Sequence, residues 1–220
     1  MFVEDLEDTR AIRRDATRAR ILDAAWDLAR RDGLAAITLR EVARRVGMRA
    51  PSLYTYFGSK NAMYDAMYAD AARQLADTLA GRPRGGDPRE TLRSRMRLFT
   101  AFCVADPVRY QMLFERPVPG FEPAPESFTI TAAALAGTRA DMQAAGVTGE
   151  PPLDMFRALI TGLVSLQVAN DPGGGRWIRL QDDAFDMFFA HYADGARRAA
   201  QPAGETGGAA HGHQPPAACR

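Results

Sequence analysis

The sequence predicts an all-α protein of about nine helices, a small N-terminal three-helix module followed by a helical bundle. Three observations lead there. Apolar residues recur at helical spacing through most of the chain, and no stretch of any length alternates as a half-buried strand would. Helix starters and stoppers, among them Thr38, Gly47, Pro51, Asp87-Pro88, Asp106-Pro107, Gly146 and Pro151-Pro152, divide the chain at helix-length intervals. Composition is that of a globular chain, with 46% hydrophobic and 25% charged residues, and 220 residues suffice for a sizeable core.

Residues 1–12 read as a disordered acidic lead-in, carrying Glu4, Asp5, Glu7 and Asp8. They lack the character of a signal peptide, and no segment approaches the roughly 18 apolar residues of a membrane span. A cytoplasmic location is therefore expected. A first helix follows from about Thr17 to Arg31, with Ile21, Leu22, Ala25, Trp26 and Leu28 as its buried stripe, and Gly33 ends it.

The stretch Thr38–Lys60, TLREVARRVGMRAPSLYTYFGSK, then reads as a helix, a tight turn and a second helix. Thr38 can cap the first, and Glu41 completes a capping-box pattern. Leu39, Val42, Ala43 and Val46 form the inner face, leaving Arg40, Arg44 and Arg45 outside. Gly47 stops this helix and Pro51 lies in the first turn of the next. Leu53 and Phe57, four apart, share a face and anchor the second helix on the first.

Two short helices so joined can place the second in the major groove of DNA. The outward residues suit that task. Arg49 offers a fork to guanine edges, Ser52 and Thr55 can donate or accept, and Ala50 and Pro51 give apolar contact for a thymine methyl. Tyr54 and Tyr56 can donate to phosphate oxygens, and Lys60, the only lysine in the chain, would meet the backbone as a point charge. Charge agrees. From Arg10 to Lys60 there are 12 basic and 5 acidic residues, a net of +7, although the whole chain carries only +1.

This stretch resembles the DNA-binding domain of the tetracycline-repressor (TetR/AcrR) family of bacterial transcription factors. The pattern is carried by Thr38, Ala43 to Gly47, Leu53, Tyr54, Tyr56, Phe57, Ser59 and Lys60, with Tyr56 standing where histidine is somewhat commoner. The resemblance runs from about Thr17 to Leu79. It implies that Thr38, Arg40, Arg49, Ala50, Pro51, Ser52, Tyr54, Thr55, Tyr56 and Lys60 contact a double-stranded operator. It also implies that Arg13 and Arg14 reach the minor groove or the backbone. The following helix, about Asn61–Leu79, would link this module to the body.

The implied organisation is a DNA-binding domain over 13–80, a ligand-binding and dimerisation domain over 88–200, and a disordered tail over 201–220. In the body, helices are expected from Asp87-Pro88 to about Val104, Asp106-Pro107 to Phe114, Glu126 to Ala145, Pro151 to Asn170 and Leu180 to Ala200. The segment Arg116–Pro125 has four prolines and is read as a loop.

Ala158, Gly162, Ser165 and Ala169, spaced by four, three and four, make a stripe of small residues where another helix can approach closely. The last helix, with Phe185, Phe188 and Tyr192, is too apolar to be singly exposed. Pairing both with their copies from a second chain gives a four-helix homodimer interface, the arrangement that the family uses. Candidate pocket residues are Phe99, Phe102, Cys103, Tyr110, Met112, Phe114, Phe128, Met142, Phe156 and Trp177, which suit a hydrophobic or aromatic effector. Any of these ten can equally be plain core.

Catalysis, cofactors and metals are not expected. His191 is the only histidine outside the tail and assembles no triad. Gly173–Gly175 lacks the Gly-Lys-Ser/Thr continuation of a phosphate loop, and His211 and His213 are too few ligands for a structural metal site. Cys103 and Cys219 form no disulfide framework. The expected function is a repressor released from a near-palindromic operator by a small effector. The alternative is an activator or regulator of the same fold that answers a protein partner. An enzyme or a pure interaction bundle whose DNA motif is vestigial is the third possibility.

Overall fold

The computed structural model describes residues 2–81 and 86–200. Among them are nine α-helices: α1 Phe2–Asp32, α2 Leu39–Arg45, α3 Ala50–Tyr54, α4 Lys60–Ala80, α5 Pro88–Ala105, α6 Pro107–Phe114, α7 Pro125–Ala144, α8 Glu150–Asn170 and α9 Gln181–Ala200. Short 3-10 turns occupy Leu34–Ala36 and Ile178–Leu180, and the described residues contain no strand. The fold is all-α, as the periodicity predicts. Among the described residues no helix is long and apolar enough to cross a membrane.

Helix starts follow the capping chemistry. Ser59 accepts from the Ala62 N–H at 3.0 Å, Asp87 from Arg89 at 3.1 Å and Asp106 from Arg109 at 3.3 Å. Pro88, Pro107 and Pro125 open their helices, where a missing N–H costs little. Gly47 terminates α2 with φ of 72°, a conformation that other residues adopt only with strain. The N-terminus departs from expectation, since α1 begins at Phe2 where a disordered lead-in was expected. Its 31 residues contain neither glycine nor proline, so nothing in the sequence interrupts the helix before Asp32. The tail over 201–220 lies outside the described residues.

Two main cores form. The first joins α1, α2, α3 and α4 around Trp26, Leu53, Phe57, Tyr64 and Met67, and takes in Met112 of α6 and Val118 of the following loop. The helix α4 is therefore shared, with one side on the N-terminal module and the other on the body. The second core joins α5, α7, α8 and α9 through Leu92, Met96, Met142, Phe156, Phe185, Phe188 and Phe189. A smaller cluster, Cys103, Tyr110 and Val164, ties α5, α6 and α8. Burial there pushes the Cys103 thiol far above its ordinary range and the Tyr110 hydroxyl up to about 12.

The helix α9 is clasped onto α5 by ion pairs. Arg93 bonds Asp186 at 2.6 Å, Arg89 bonds it at 2.9 Å, and Arg97 bonds Asp182 at 2.8 Å. The aromatic face of α9 turns inward, and these ion pairs lie along its edge. Phe185 and Phe188, expected at a subunit interface, are instead packed inside the protomer on Phe156, with Tyr192 half-buried behind Phe188. On α8 the small residues do face outward: Ala158 and Ala169 are exposed, Gly162 and Ser165 half-buried, and a methyl on Gly162 would meet nothing within 4 Å. Met155, Leu166 and Met187 are exposed beside them.

Hydrogen bonds from Arg93, and secondarily from Arg89, hold the Asp186 carboxyl below the usual carboxylate range. A depressed folded-state pKa gives stability that is fully present above the unfolded pKa and lost as pH falls through the folded one. Acid should therefore loosen the clasp below the ordinary carboxylate range. Thermal melts across falling pH should show a steeper loss in the native protein than in Asp186→Asn, and parallel curves would exclude a role for this carboxylate.

Candidate nucleic-acid interface

The geometry of the helix-turn-helix rests on one helix of five residues, α3, in which Leu53 is the only buried residue. Leu53 and Phe57 are sealed in the first core, and the opposite side faces solvent. There Arg49, Pro51, Ser52, Tyr54 and Thr55 are exposed, with Ala50 and Tyr56 half-buried. Tyr54 is 53% exposed despite its ring, which is unusual for so large an apolar body and leaves its hydroxyl accessible.

On α2, only half of the capping box forms. The Thr38 hydroxyl accepts from the Glu41 N–H at 3.2 Å, but the Glu41 carboxylate turns to Arg44 at 2.5 Å. That hydrogen bond holds the Glu41 carboxyl below its usual range. Arg45 pairs with Asp27 of α1 at 3.3 Å. Arg40 and Arg49 are exposed and find no acceptor among the described residues. On α2 and the turn, the basic surface thus divides into Arg44 and Arg45, which are used internally, and Arg40 and Arg49, which remain available.

Arg14 and Arg18 have a structural task that the motif did not reveal. The Arg14 guanidinium donates to the Thr55 carbonyl at 3.2 Å, and Arg18 donates to the Tyr56 carbonyl at 3.1 Å. Arg18 also lies 4.4 Å from the Phe57 ring centroid. These carbonyls end a helix too short to hold itself, so α1 supplies the cations that its C-terminus lacks. The four-residue spacing of Arg14 and Arg18 placed both on one face and was the available signal. Arg13 is exposed. Lys60 spends one of its three N–H donors on the Ala35 carbonyl at 3.0 Å, where with the Tyr64 hydroxyl it staples the 3-10 turn.

Behind the module, α4, α5, α6, α7 and α8 enclose a cavity of about 390 Å³. Phe99, Phe114, Phe128 and Phe156 line it. The other six candidates do not. Cys103, Tyr110, Met112 and Met142 are core, Phe102 faces a separate shallow cleft beside Asp106, and Trp177 packs at the start of the last 3-10 turn. Helix faces that looked equivalent in the sequence are distinguished by which neighbour reaches them first. Among the described residues no group of three or more His, Cys, Asp or Glu could hold a metal ion.

Residues 21–67, from the middle of α1 into α4, match the model of bacterial regulatory proteins of the tetR family. Residues 21–67 belong to the tetR family. The chain is 31% identical over 147 residues to the HTH-type transcriptional regulator Rv1816 of Mycobacterium tuberculosis, covering 63% of this chain and 62% of that protein. The chain thus spans less than two thirds of the length of this curated relative. Among solved structures, the regulatory protein SCO4313 superposes with a TM-score of 0.70 at 27% identity, covering 82% of this chain and 98% of its own. The regulator PfmR of Thermus thermophilus shares the fold, with a TM-score of 0.58 at 18% identity over 79% of this chain and 97% of its own. The family match lies on the helices that present Arg49 and Tyr54.

Proposed function

We propose that this TetR-family chain is a sequence-specific DNA-binding transcriptional regulator that acts as a homodimer. In this reading it represses from a near-palindromic operator and is released when a small hydrophobic or aromatic effector enters the body cavity. The supporting observation is the outward face of α3, whose exposed Arg49, Ser52 and Tyr54 stand over a buried Leu53–Phe57 anchor and whose C-terminus is clamped by Arg14 and Arg18. A helix held so firmly can keep its polar side chains in register with base edges. Arg49 is assigned to base readout, and Tyr54, Tyr56 and Arg40 to phosphates.

Dimerisation is supported by the uncovered stripe on α8, where Met155, Ala158, Gly162, Leu166 and Ala169 are exposed or half-buried beside Met187 of α9. Two recognition helices carried by such a pair would read successive major grooves, about 34–36 Å apart.

Retardation of the protein's own promoter fragment tests the reading. Affinity is expected to fall on the order of a hundredfold or more between about 50 and 200 mM salt, as phosphate contacts release counterions. Arg49→Ala should cost about 1–3 kcal/mol on the specific duplex and little on random sequence. Absence of retardation at low salt, or an equal loss on both duplexes, would contradict the assignment.

A further inference from the structure

The cavity between the module and the body shows charge of one sign. Arg95, Arg139 and Arg157 line it, and among the described residues no aspartate or glutamate does. Each arginine has its countercharge outside the wall: Asp141 for Arg95, Glu150 for Arg139 and Asp154 for Arg157. Most of the remaining wall is apolar, from Leu75 on α4 through Met96, Phe99 and Phe156.

Arg95 is the inner one of the three, only 7% exposed, whereas Arg139 and Arg157 reach solvent. Its Nε donates to Asp141 at 2.5 Å, which fixes the plane of the guanidinium. The two terminal nitrogens find no acceptor among the described residues. Opposite them stands Gly137 of α7, where a methyl group would come within 3.0 Å of the outer nitrogen. Glycine leaves the guanidinium edge its space.

An arginine offers donors and no acceptor, so whatever fills this end of the cavity must bring lone pairs. A planar fork with Nε already engaged is suited to a second oxyanion on its terminal nitrogens. A ligand cation would face three guanidinium groups with no carboxylate in the wall. We infer that the cavity takes an apolar organic acid, its carboxylate on the terminal nitrogens of Arg95 and its hydrocarbon body against Phe99, Phe128 and Phe156. The inference rests on the proposed reading of this cavity as the effector site, and it adds the chemical class of the effector.

Octanoate, decanoate and phenylpropanoate are titrated calorimetrically into the full chain, each against the alcohol and the amine with the same body. At least one acid should bind about tenfold or more tighter than its alcohol, with the amine weakest. Arg95→Met alone takes one cation from the Asp141 carboxylate, so the informative variant is Arg95→Met/Asp141→Asn, with folding verified by circular dichroism. It should lose about 10- to 100-fold for the acid and leave the alcohol unchanged. Arg95→Lys should recover only part of the loss, because the ammonium lacks the fork. Equal binding of acid and alcohol, an undiminished acid preference in the double variant, or no acid binding at about 1 mM each overturns the inference. DNA retardation in the same samples separates the two readings. If the acid binds through Arg95 and DNA affinity is unmoved, the carboxylate site stands and effector control fails. If no acid binds and the promoter fragment is still retarded, the regulator stands and the acid site fails.

Discussion

Leu53→Ala is expected to destabilise the N-terminal module by about 2–5 kcal/mol and to abolish specific retardation of the promoter fragment. The side chain is wholly buried, and it is the only buried position that α3 possesses. Five residues make little more than one turn, and isolated helices of that length are not stable in water. The conformation of α3 is therefore imposed by what Leu53 touches on α1 and α2, assisted by the Arg14 and Arg18 bonds to its terminal carbonyls. Truncation removes the apolar contact and leaves a void that the surrounding Trp26 and Val42 cluster fills only partly. Urea unfolding by circular dichroism measures the loss, and retardation measures its consequence. Ser52→Ala, next along the helix and exposed, is the control and should stay within about 0.5 kcal/mol of the native protein. Native-like retardation by Leu53→Ala would show that DNA itself, and not the core, holds α3 in place.

The sequence made this helix legible because its signals are local. Thr38, Gly47, Pro51 and the Leu53–Phe57 pair act within a few residues of themselves, and each has the partner or conformation that short-range chemistry requires. The same holds for Asp87-Pro88 and Asp106-Pro107. What escaped was set by distant neighbours. Met112 reads as a pocket residue, but α6 packs it into the first core, and Phe185 and Phe188 read as interface, but α9 buries them in the second core. Of ten aromatic or sulfur-bearing pocket candidates, periodicity could place each on an apolar face but could not say which face another helix would fill. Arg95 was missed for a related reason. A single arginine in a helix reads as solvent-exposed, and only Asp141 and Gly137 on α7 show why this one is not.

Asp106→Ala should cost about 2–4 kcal/mol, through the joint loss of a helix cap and of a shielded ion cluster. Asp106 is 9% exposed and accepts from Arg30 of α1 at 2.7 and 3.1 Å, while Arg109 of α6 lies 3.1 Å from the same oxygen. Its other oxygen caps α6 by accepting from the Arg109 N–H. Arg109 in turn lies 5.4 Å from the Trp26 ring centroid, and Trp26 donates to Asp70 of α4 at 2.8 Å. One carboxylate therefore joins the DNA-facing module to α6, and the last residue of α6, Phe114, lines the cavity. Removing it leaves two guanidinium groups facing each other without their shared acceptor. The Arg30 side chain is 39% exposed, so water recovers part of the loss and the expected cost stays below that of a fully dry pair. Asp106→Asn keeps a capping oxygen while discarding the charge, and should regain about 1 kcal/mol over alanine. Coupling gives a second readout independent of stability. If the cluster transmits the state of the cavity to α1, both variants should still bind the acid and the promoter fragment, but the acid should shift DNA affinity less than in the native protein. Stability and coupling both unchanged in Asp106→Ala would mean that apolar packing through Met112 and Trp26 alone joins the two halves, with the ion cluster screened by solvent.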